Sequence, residues 1–78
     1  MKLTYDPRYN IAYLSLHERT DQVETVRVSD ELNVDLTPDG KVFGIELLNA
    51  NEQLKGITEA GLSLENEATG KRIDVRFP

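Results

Sequence analysis

The sequence predicts a mainly β domain of the β-rich α+β class: an antiparallel β-meander of about five strands, with one short helix and a C-terminal β-hairpin. Two observations carry this prediction. Short runs that alternate apolar and polar residues have the period of two that marks a strand. Turn-forming residues separate these runs, as in the segment TPDG at positions 37–40. With 78 residues, the chain has the length of one small domain near the lower limit for folding alone, so self-association would stabilise it.

The first two predicted strands form a hairpin. Residues 3–5 are apolar at alternate positions, and the turn-forming residues Asp6, Pro7 and Asn10 follow them. The second strand, residues 11–16, carries apolar side chains on both of its faces. That pattern predicts a strand in the centre of a sheet or at a contact between subunits.

The next three predicted strands form consecutive antiparallel neighbours. A polar connection at residues 17–22 leads to a third strand at residues 23–28, which is rich in β-branched residues. The fourth strand, residues 32–36, alternates between apolar and polar side chains, and a turn at residues 37–40 returns the chain into a fifth strand at residues 41–48. The turn has a mechanism, because its proline fixes φ, its aspartate can bond the local backbone and its glycine accepts a positive φ.

The register of this hairpin decides which side chains share a face, because a slip of one residue swaps the two faces. A loop of three residues, 38–40, ending in a glycine bulge would place Leu36 opposite Val42 and Val34 opposite Gly44. The apolar residues of the two strands would then lie on different faces.

A loop of even length, residues 37–40, is the alternative. It would place Val34 opposite Phe43 and give one continuous apolar face, which burial favours. It would also need a helical conformation at the residue before a proline, which is disfavoured. A β-bulge near Gly44 would reconcile the two registers.

The polar segment that follows predicts a short helix or turn at residues 51–61. Asn49 with Glu52 three residues later resembles a capping box. Gly56 would then end a single helical turn.

The tail predicts a C-terminal hairpin at residues 62–77. A loop at residues 67–70 would pair Leu64 with Ile73 and oppose Glu65 to Arg72 on the solvent face. This pairing gathers four apolar side chains on one face: Leu62, Leu64, Ile73 and Val75. No linker separates the segments, so the sequence predicts one domain over residues 1–78, made of the meander (1–50), the helix or turn (51–61) and the hairpin (62–77).

Composition limits the classes of function. The chain carries 14 acidic and 9 basic residues, a formal net charge of -5, and direct nucleic-acid binding is therefore disfavoured. The lack of cysteine gives no disulfide framework and favours a cytoplasmic location. The N-terminus has no export-signal pattern, and no apolar run is long enough to enter a membrane as a spanning helix.

Few side chains suggest chemistry. His17 is the only histidine, and it follows the end of a strand beside Glu18, a position typical of a solvated side chain. A general base needs a positioned partner and a metal site needs several convergent ligands. We therefore predict no catalytic, cofactor-binding or metal-binding residue, and no cofactor.

The strongest candidate patch lies on the fourth and fifth strands. In the register of the even loop, Asp35, Gly44 and Glu46 share an outward face, where Gly44 leaves room for a partner or another strand to approach. These three residues are the candidate binding face. Paired carboxylates bind hard cations and perform hydrolysis, whereas the simpler interpretation is the polar face of an amphipathic hairpin.

Residues across the first 50 positions resemble a family of small prokaryotic proteins grouped as the domain of unknown function DUF 2283. Its pattern is a lysine-led strand, a Tyr-Asp turn, an apolar strand and an acidic hairpin whose returning arm reads Gly-Ile-Glu. The matching residues are Lys2, Leu3, Tyr5, Asp6, Pro7, Tyr13, Leu14, Leu16, Asp35, Asp39, Gly40, Gly44, Ile45, Glu46 and Asn49. The chain departs from the pattern at Asn10, where an acid often follows the first turn. Some family members resemble the antitoxin-side partner of a small toxin similar to a ribonuclease, and no catalytic residue comes with the resemblance.

We therefore expect a non-enzymatic protein-binding module that forms a homodimer, with a small basic toxin as a further partner for its acidic surface. One alternative is a small acidic-site enzyme or cation binder that uses Asp35 and Glu46. Another is a homo-oligomeric structural domain without a ligand.

Overall fold

The computed structural model describes residues 1–18 and 22–76 and confirms the predicted fold class. A five-stranded antiparallel sheet is followed by two short helices and a two-stranded hairpin. The elements are β1 (Lys2–Asp6), β2 (Ile11–Ser15), β3 (Glu24–Ser29), β4 (Leu32–Leu36), β5 (Val42–Leu48), α1 (Ala50–Gln53), α2 (Lys55–Ala60), β6 (Leu62–Glu65) and β7 (Arg72–Val75). The predicted polar connection falls partly on residues 19–21 and the end of the predicted hairpin on residue 77, and these positions lie outside the described residues.

The strand order of the large sheet is β1-β2-β5-β4-β3, which departs from the sequential order of a simple meander. The chain leaves β2, reaches the far edge at β3 and returns through β4, so that β5 pairs with β2. The central position predicted for β2 is confirmed. This order places the strands with the most apolar residues in the middle and leaves β3, which is exposed along its length, at an edge.

Strand pairing assigns the sheet residues to two faces. On one face, the apolar face, Leu14 pairs with Ile45 and Ile45 with Val34, because opposed residues in antiparallel strands point the same way. Ala12 pairs with Leu47 on this face and is fully buried. The opposite face, the polar face, carries Ile11 and Leu48 at one end and otherwise the following residues: Lys2, Thr4, Asp6, Tyr13, Ser15, Thr25, Arg27, Asn33, Asp35, Gly44 and Glu46.

The turn between β4 and β5 keeps the predicted three-residue loop, and the register changes directly after it. The Thr37 amide donates to the Lys41 carbonyl oxygen at 2.8 Å, and Gly40 has a φ of 86°, so the loop of residues 38–40 is confirmed together with the pairing of Leu36 and Val42. The register then shifts, and Asp35 pairs with Gly44.

Phe43 is the extra residue of this shift and forms a β-bulge next to Gly44. Beyond the bulge Val34 pairs with Ile45, and the continuous apolar face is restored. The predicted reconciliation by a bulge is confirmed. Both pairings predicted for Val34 are wrong. The proline turn retains its three-residue loop, which rules out the pairing with Phe43, and the bulge moves Gly44 opposite Asp35.

Helix α1 begins after Asn49, but the predicted capping box is wrong. Asn49 has a left-handed conformation, with a φ of 52°, and its side chain makes no capping hydrogen bond. The side-chain amide of Asn49 donates instead, from Nδ2, to Glu31 Oε2 at 3.0 Å. Helix α2 runs through Gly56 and ends at Ala60, before Gly61, which has a φ of 81°.

Asn10 attaches α1 to the turn between β1 and β2. Its backbone carbonyl accepts a hydrogen bond from the Ala50 amide at 3.0 Å. Its side chain accepts from the Asn51 amide at 2.8 Å and donates to Asn51 Oδ1 at 2.7 Å. Asn10 is itself left-handed, with a φ of 55°, a conformation that asparagine tolerates better than most residues. The result is a helix start held close enough to the sheet to bury Ala50 completely.

The C-terminal hairpin forms a separate two-stranded sheet with the predicted register. Leu64 pairs with Ile73 and Glu65 with Arg72, and the Asn66 amide donates to the Lys71 carbonyl at 2.8 Å. One detail differs, because the Arg72 guanidinium forms its ion pair with its neighbour along the strand, Asp74, at 3.0 Å.

The attachment of α1 by Asn10 can be measured. We expect Asn10→Ala to lower the free energy of unfolding by about 2–3 kcal/mol, because it removes the side-chain bonds to Asn51 and leaves a Cβ in the left-handed region. Asn10→Gly should cost less, about 1–2 kcal/mol, because glycine relieves the backbone but does not restore the bonds. Urea unfolding at one fixed chain concentration measures both variants, and equal stability of Asn10→Ala and the parent protein would contradict the attachment.

Candidate functional site

The structure brings the three predicted residues of the candidate binding face together. Asp35 and Gly44 are directly paired across β4 and β5, and Glu46 lies two residues further along β5 on the same face. Asn33 lies opposite Glu46 and donates from Nδ2 to Glu46 Oε1 at 2.9 Å. The bulge at Phe43 produces this arrangement, because it places Asp35 and Gly44 on the face that carries Glu46.

Tyr13 is the central member of this polar face, and the sequence interpretation missed its role. Tyr13 on β2 lies opposite Glu46, and its hydroxyl donates to Asp35 Oδ2 at 2.6 Å. Thr25 on β3 donates to the other carboxylate oxygen of Asp35, also at 2.6 Å. Only the pairing of β2 with β5 reveals the contact, because Tyr13 and Asp35 lie 22 residues apart in the chain.

The space over Gly44 is occupied by the protein's own Tyr13. Gly44 is buried, and a Cβ at this position would overlap the phenol oxygen and ring carbons of Tyr13. The room that Gly44 was expected to offer a partner is therefore used to lay the tyrosine ring across the sheet.

The surroundings of Tyr13 change its proton affinity. Burial raises the pKa of the Tyr13 phenol to about 12, and the hydrogen bond to Asp35 and the negative charges of Asp35 and Glu46 act in the same direction. Each factor disfavours the phenolate, since it would be poorly hydrated and would face two carboxylates. Tyr13 is thereby held as a hydrogen-bond donor.

The polar face has the chemistry of a structural network. Both oxygens of Asp35 already accept hydrogen bonds, as does one oxygen of Glu46. No group of three or more His, Cys, Asp or Glu side chains within residues 1–18 and 22–76 is arranged to hold a metal ion. His17 is exposed, as its position predicted. The role of Asp35, Gly44 and Glu46 as a binding face stays a prediction.

Several large apolar side chains are exposed outside this polar network. The hairpin's apolar face consists of four residues with relative exposures of 50%, 70%, 63% and 54%: Leu62, Leu64, Ile73 and Val75. The sequence predicted that these residues share a face but not that the face would be uncovered. On the edge strand, Val26 and Val28 are 40% and 58% exposed.

A pocket of about 130 Å³ lies where the helices meet β1. Tyr5, Ala50, Asn51, Leu54 and Thr58 line it, and its wall is mainly apolar. Among the described residues, no helix is long and apolar enough to cross a membrane.

The first 50 or so residues match a known protein family. Residues 2–51 match the family described as "Protein of unknown function (DUF2283)". The matched residues include the whole five-stranded sheet and the start of α1. No curated protein and no solved structure matches the chain.

The raised pKa of Tyr13 predicts an alkaline dependence of stability. Below pH 10 the phenol is protonated in both the folded and the unfolded chain. Between the ordinary value of 10 and the folded value of about 12, the folded chain keeps a proton that the unfolded chain releases, so stability falls as the pH rises. We expect tyrosinate absorbance of the folded protein to show a component with a midpoint near 12 that Tyr13→Phe removes.

Tyr5→Phe is the matched control for this titration and should leave the high-pH component in place. The Tyr13→Phe variant should also lose less stability than the parent protein between pH 10 and 12. Full ionisation of the parent's tyrosines near pH 10, while the protein remains folded, would contradict the buried and hydrogen-bonded position of Tyr13.

The overlap between Gly44 and Tyr13 predicts an energetic coupling. We expect Gly44→Ala to destabilise the protein by about 1–3 kcal/mol, because the added methyl group displaces the Tyr13 ring. In a Tyr13→Ala background the same substitution should cost at least about 1 kcal/mol less. Gly56→Ala is the control, because Gly56 has open space around it inside α2, and it should be neutral or stabilising. A double-mutant cycle by denaturant unfolding with no coupling would contradict this account.

Proposed function

We propose that this chain, which belongs to the DUF2283 family of proteins of unknown function, is a non-enzymatic protein-binding module whose first partner is a second copy of itself. The observation that carries the proposal is the amount of surface the chain exposes. Its accessible area is 6347 Å², whereas a folded monomer of this size exposes about 4,800 Å². The excess of roughly 1,500 Å² exceeds the roughly 800 Å² that each partner buries in a standard interface.

The dimensions of the chain agree with this excess. The radius of gyration is 14.1 Å, against about 11.5 Å for a compact domain of the same length. Among the described residues, Ala12 and Ala50 are the buried hydrophobic ones. A sheet that is apolar on one face normally packs that face against another layer, and α1 and α2 are too short to provide a complete one. A second copy would supply the missing layer.

The hydrogen bonds of the carboxylates on the polar face support the non-enzymatic part of the proposal. The carboxylates best placed for chemistry, Asp35 and Glu46, accept hydrogen bonds from neighbouring strands. Their arrangement serves sheet pairing, which is the common cause of such clusters. The cytoplasmic location expected from the composition stays a prediction.

A small basic protein is the second candidate partner, and the distribution of charge favours it. The net charge is -5, and each of the four ion pairs within the described residues uses an aspartate. The eight glutamates of the chain lie outside those pairs and would attract a basic surface. An antitoxin-like role towards a small basic toxin would use this charge, whereas the homodimer would use the apolar surface.

The homodimer predicts a mass that depends on concentration. In a dilution series measured by light scattering or sedimentation, we expect a dimer at high concentration that converts to monomer on dilution, with a parallel fall in thermal stability. Added salt should leave the homodimer largely intact, because apolar contacts are not screened. A constant monomer mass at the highest concentration would contradict the homodimer, and a monomer that forms a salt-sensitive complex with a basic protein would support the second candidate in its place.

A further inference from the structure

We infer that the β6–β7 hairpin is the arm that forms the dimer, and that each chain lays the hairpin's apolar face on the β3–β4 part of the apolar sheet face of its partner. The inference rests on the proposed homodimer and names the surfaces that form it. It assigns a role to the C-terminal residues that lie beyond the family match, which ends at residue 51.

The hairpin is built with one apolar side and one polar side. On the polar side the Ser63 hydroxyl and the Arg72 guanidinium both bind Asp74, at 2.7 and 3.0 Å, and they lower the pKa of this aspartate. The other side carries only the hairpin's apolar face. An isolated two-stranded ribbon is marginal in water, and it becomes stable when one face packs against another element. The hairpin therefore needs a surface to cover its apolar face.

The hairpin's own chain is poorly placed to provide that surface. Helix α2 ends at Ala60 and β6 begins at Leu62, so Gly61 alone joins them. Gly61 has a φ of 81°, and a Cβ there would overlap the Val75 carbonyl oxygen. Glycine adopts this conformation without strain, and it lets the end of β7 pass close to the end of α2. The linker of one residue holds the base of the hairpin against α2, and in this arrangement the four apolar side chains of the hairpin remain exposed, so a second molecule can approach them directly.

The receiving surface is the part of the apolar sheet face that the helices leave open. Helix α1 lies at the β2–β5 side, where Ala12 and Ala50 are buried. On the other side Val26 of the edge strand β3 is 40% exposed, and its neighbour across the strands, Val34, is half-buried. Both are β-branched side chains on the apolar face, which suits packing against the aliphatic residues of a β-ribbon.

Reciprocal docking accounts for the excess surface. In a two-fold dimer each chain both donates a hairpin and receives one, so two identical contacts form. Each chain then buries its hairpin's apolar face and its β3–β4 surface at once. Both surfaces contribute to the excess of exposed area, so the reciprocal contact covers more of it than a contact through one of them would.

Paired variants on the two sides of the hairpin test this assignment. Leu64→Ser with Ile73→Ser removes the two most exposed side chains of the hairpin's apolar face, and we expect the dimer dissociation constant to rise about 100-fold. Glu65→Ser with Arg72→Ser alters the same strands at the adjacent pair on the polar side, and it should change the constant by less than about threefold. Circular dichroism confirms that each variant is folded.

The receiving surface is tested by Val26→Ser, which should raise the dissociation constant about 10-fold. A mixture of the Leu64→Ser/Ile73→Ser chain with the Val26→Ser chain gives a further readout. Their mixed dimer has one intact contact and one contact altered on both sides. If the two surfaces touch, the doubly altered contact loses less than the sum of the single losses, so the mixed dimer should bind more tightly than the geometric mean of the two homodimer constants. Surfaces that do not touch, or variants that only destabilise the fold, would give that mean.

The outcomes separate the inference from the proposed function. A parent protein that stays monomeric would overturn both. A dimeric parent whose dissociation constant is unchanged by Leu64→Ser/Ile73→Ser would overturn the hairpin assignment and leave the homodimer standing. Weaker dimerisation of the apolar variants, unchanged affinity in the polar control and a mixed dimer tighter than the geometric mean of the two variant homodimers are together the expected result.

Discussion

One extra residue in β5, Phe43, determines which side chains share a face across the whole sheet. The proline turn before it imposes a loop of three residues, and without correction that loop would place Val34 and Ile45 on opposite faces. The bulge at Phe43 shifts the register by one residue, and the apolar residues of β4 and β5 then lie together. Since β5 also pairs with β2, the same shift aligns three strands at once.

The bulge also explains why an acid and a glycine stand inside an apolar strand. It places Gly44 beside Asp35 and below Tyr13, so the missing side chain becomes the space for an aromatic ring. Tyr13 spans β5 to reach Asp35 and Asn33 holds Glu46, which gives the carboxylates partners within the sheet. A cross-strand network of this kind stabilises the pairing of β2, β5 and β4 and restricts the register. Packing therefore accounts for features that first suggest an acidic site.

The sequence predicted contacts between residues that are close in the chain, but it did not predict contacts between distant residues. The C-terminal hairpin was predicted residue by residue because its four-residue loop and its alternation are local. The strand order, the bond from Tyr13 to Asp35 and the bonds from Asn10 to Asn51 were not predicted, because they join positions 22 and 41 residues apart. The capping box at Asn49 was wrong for a related reason. The local pattern was present, but a distant partner, Glu31, takes the asparagine side chain.

The edge strands of the sheet are unsuited to pairing with another chain, which is why two chains would associate through their apolar faces. The edge strand β1 carries Lys2 and Asp6 and is followed by Pro7, while the edge strand β3 carries Glu24 and Arg27. Charged side chains and proline at an edge oppose the addition of further strands. A net charge of -5 also opposes open-ended aggregation. The surfaces that remain for association are the open part of the apolar sheet face and the hairpin's apolar face. Reciprocal docking of two chains would cover both surfaces and would leave neither free to bind a third chain.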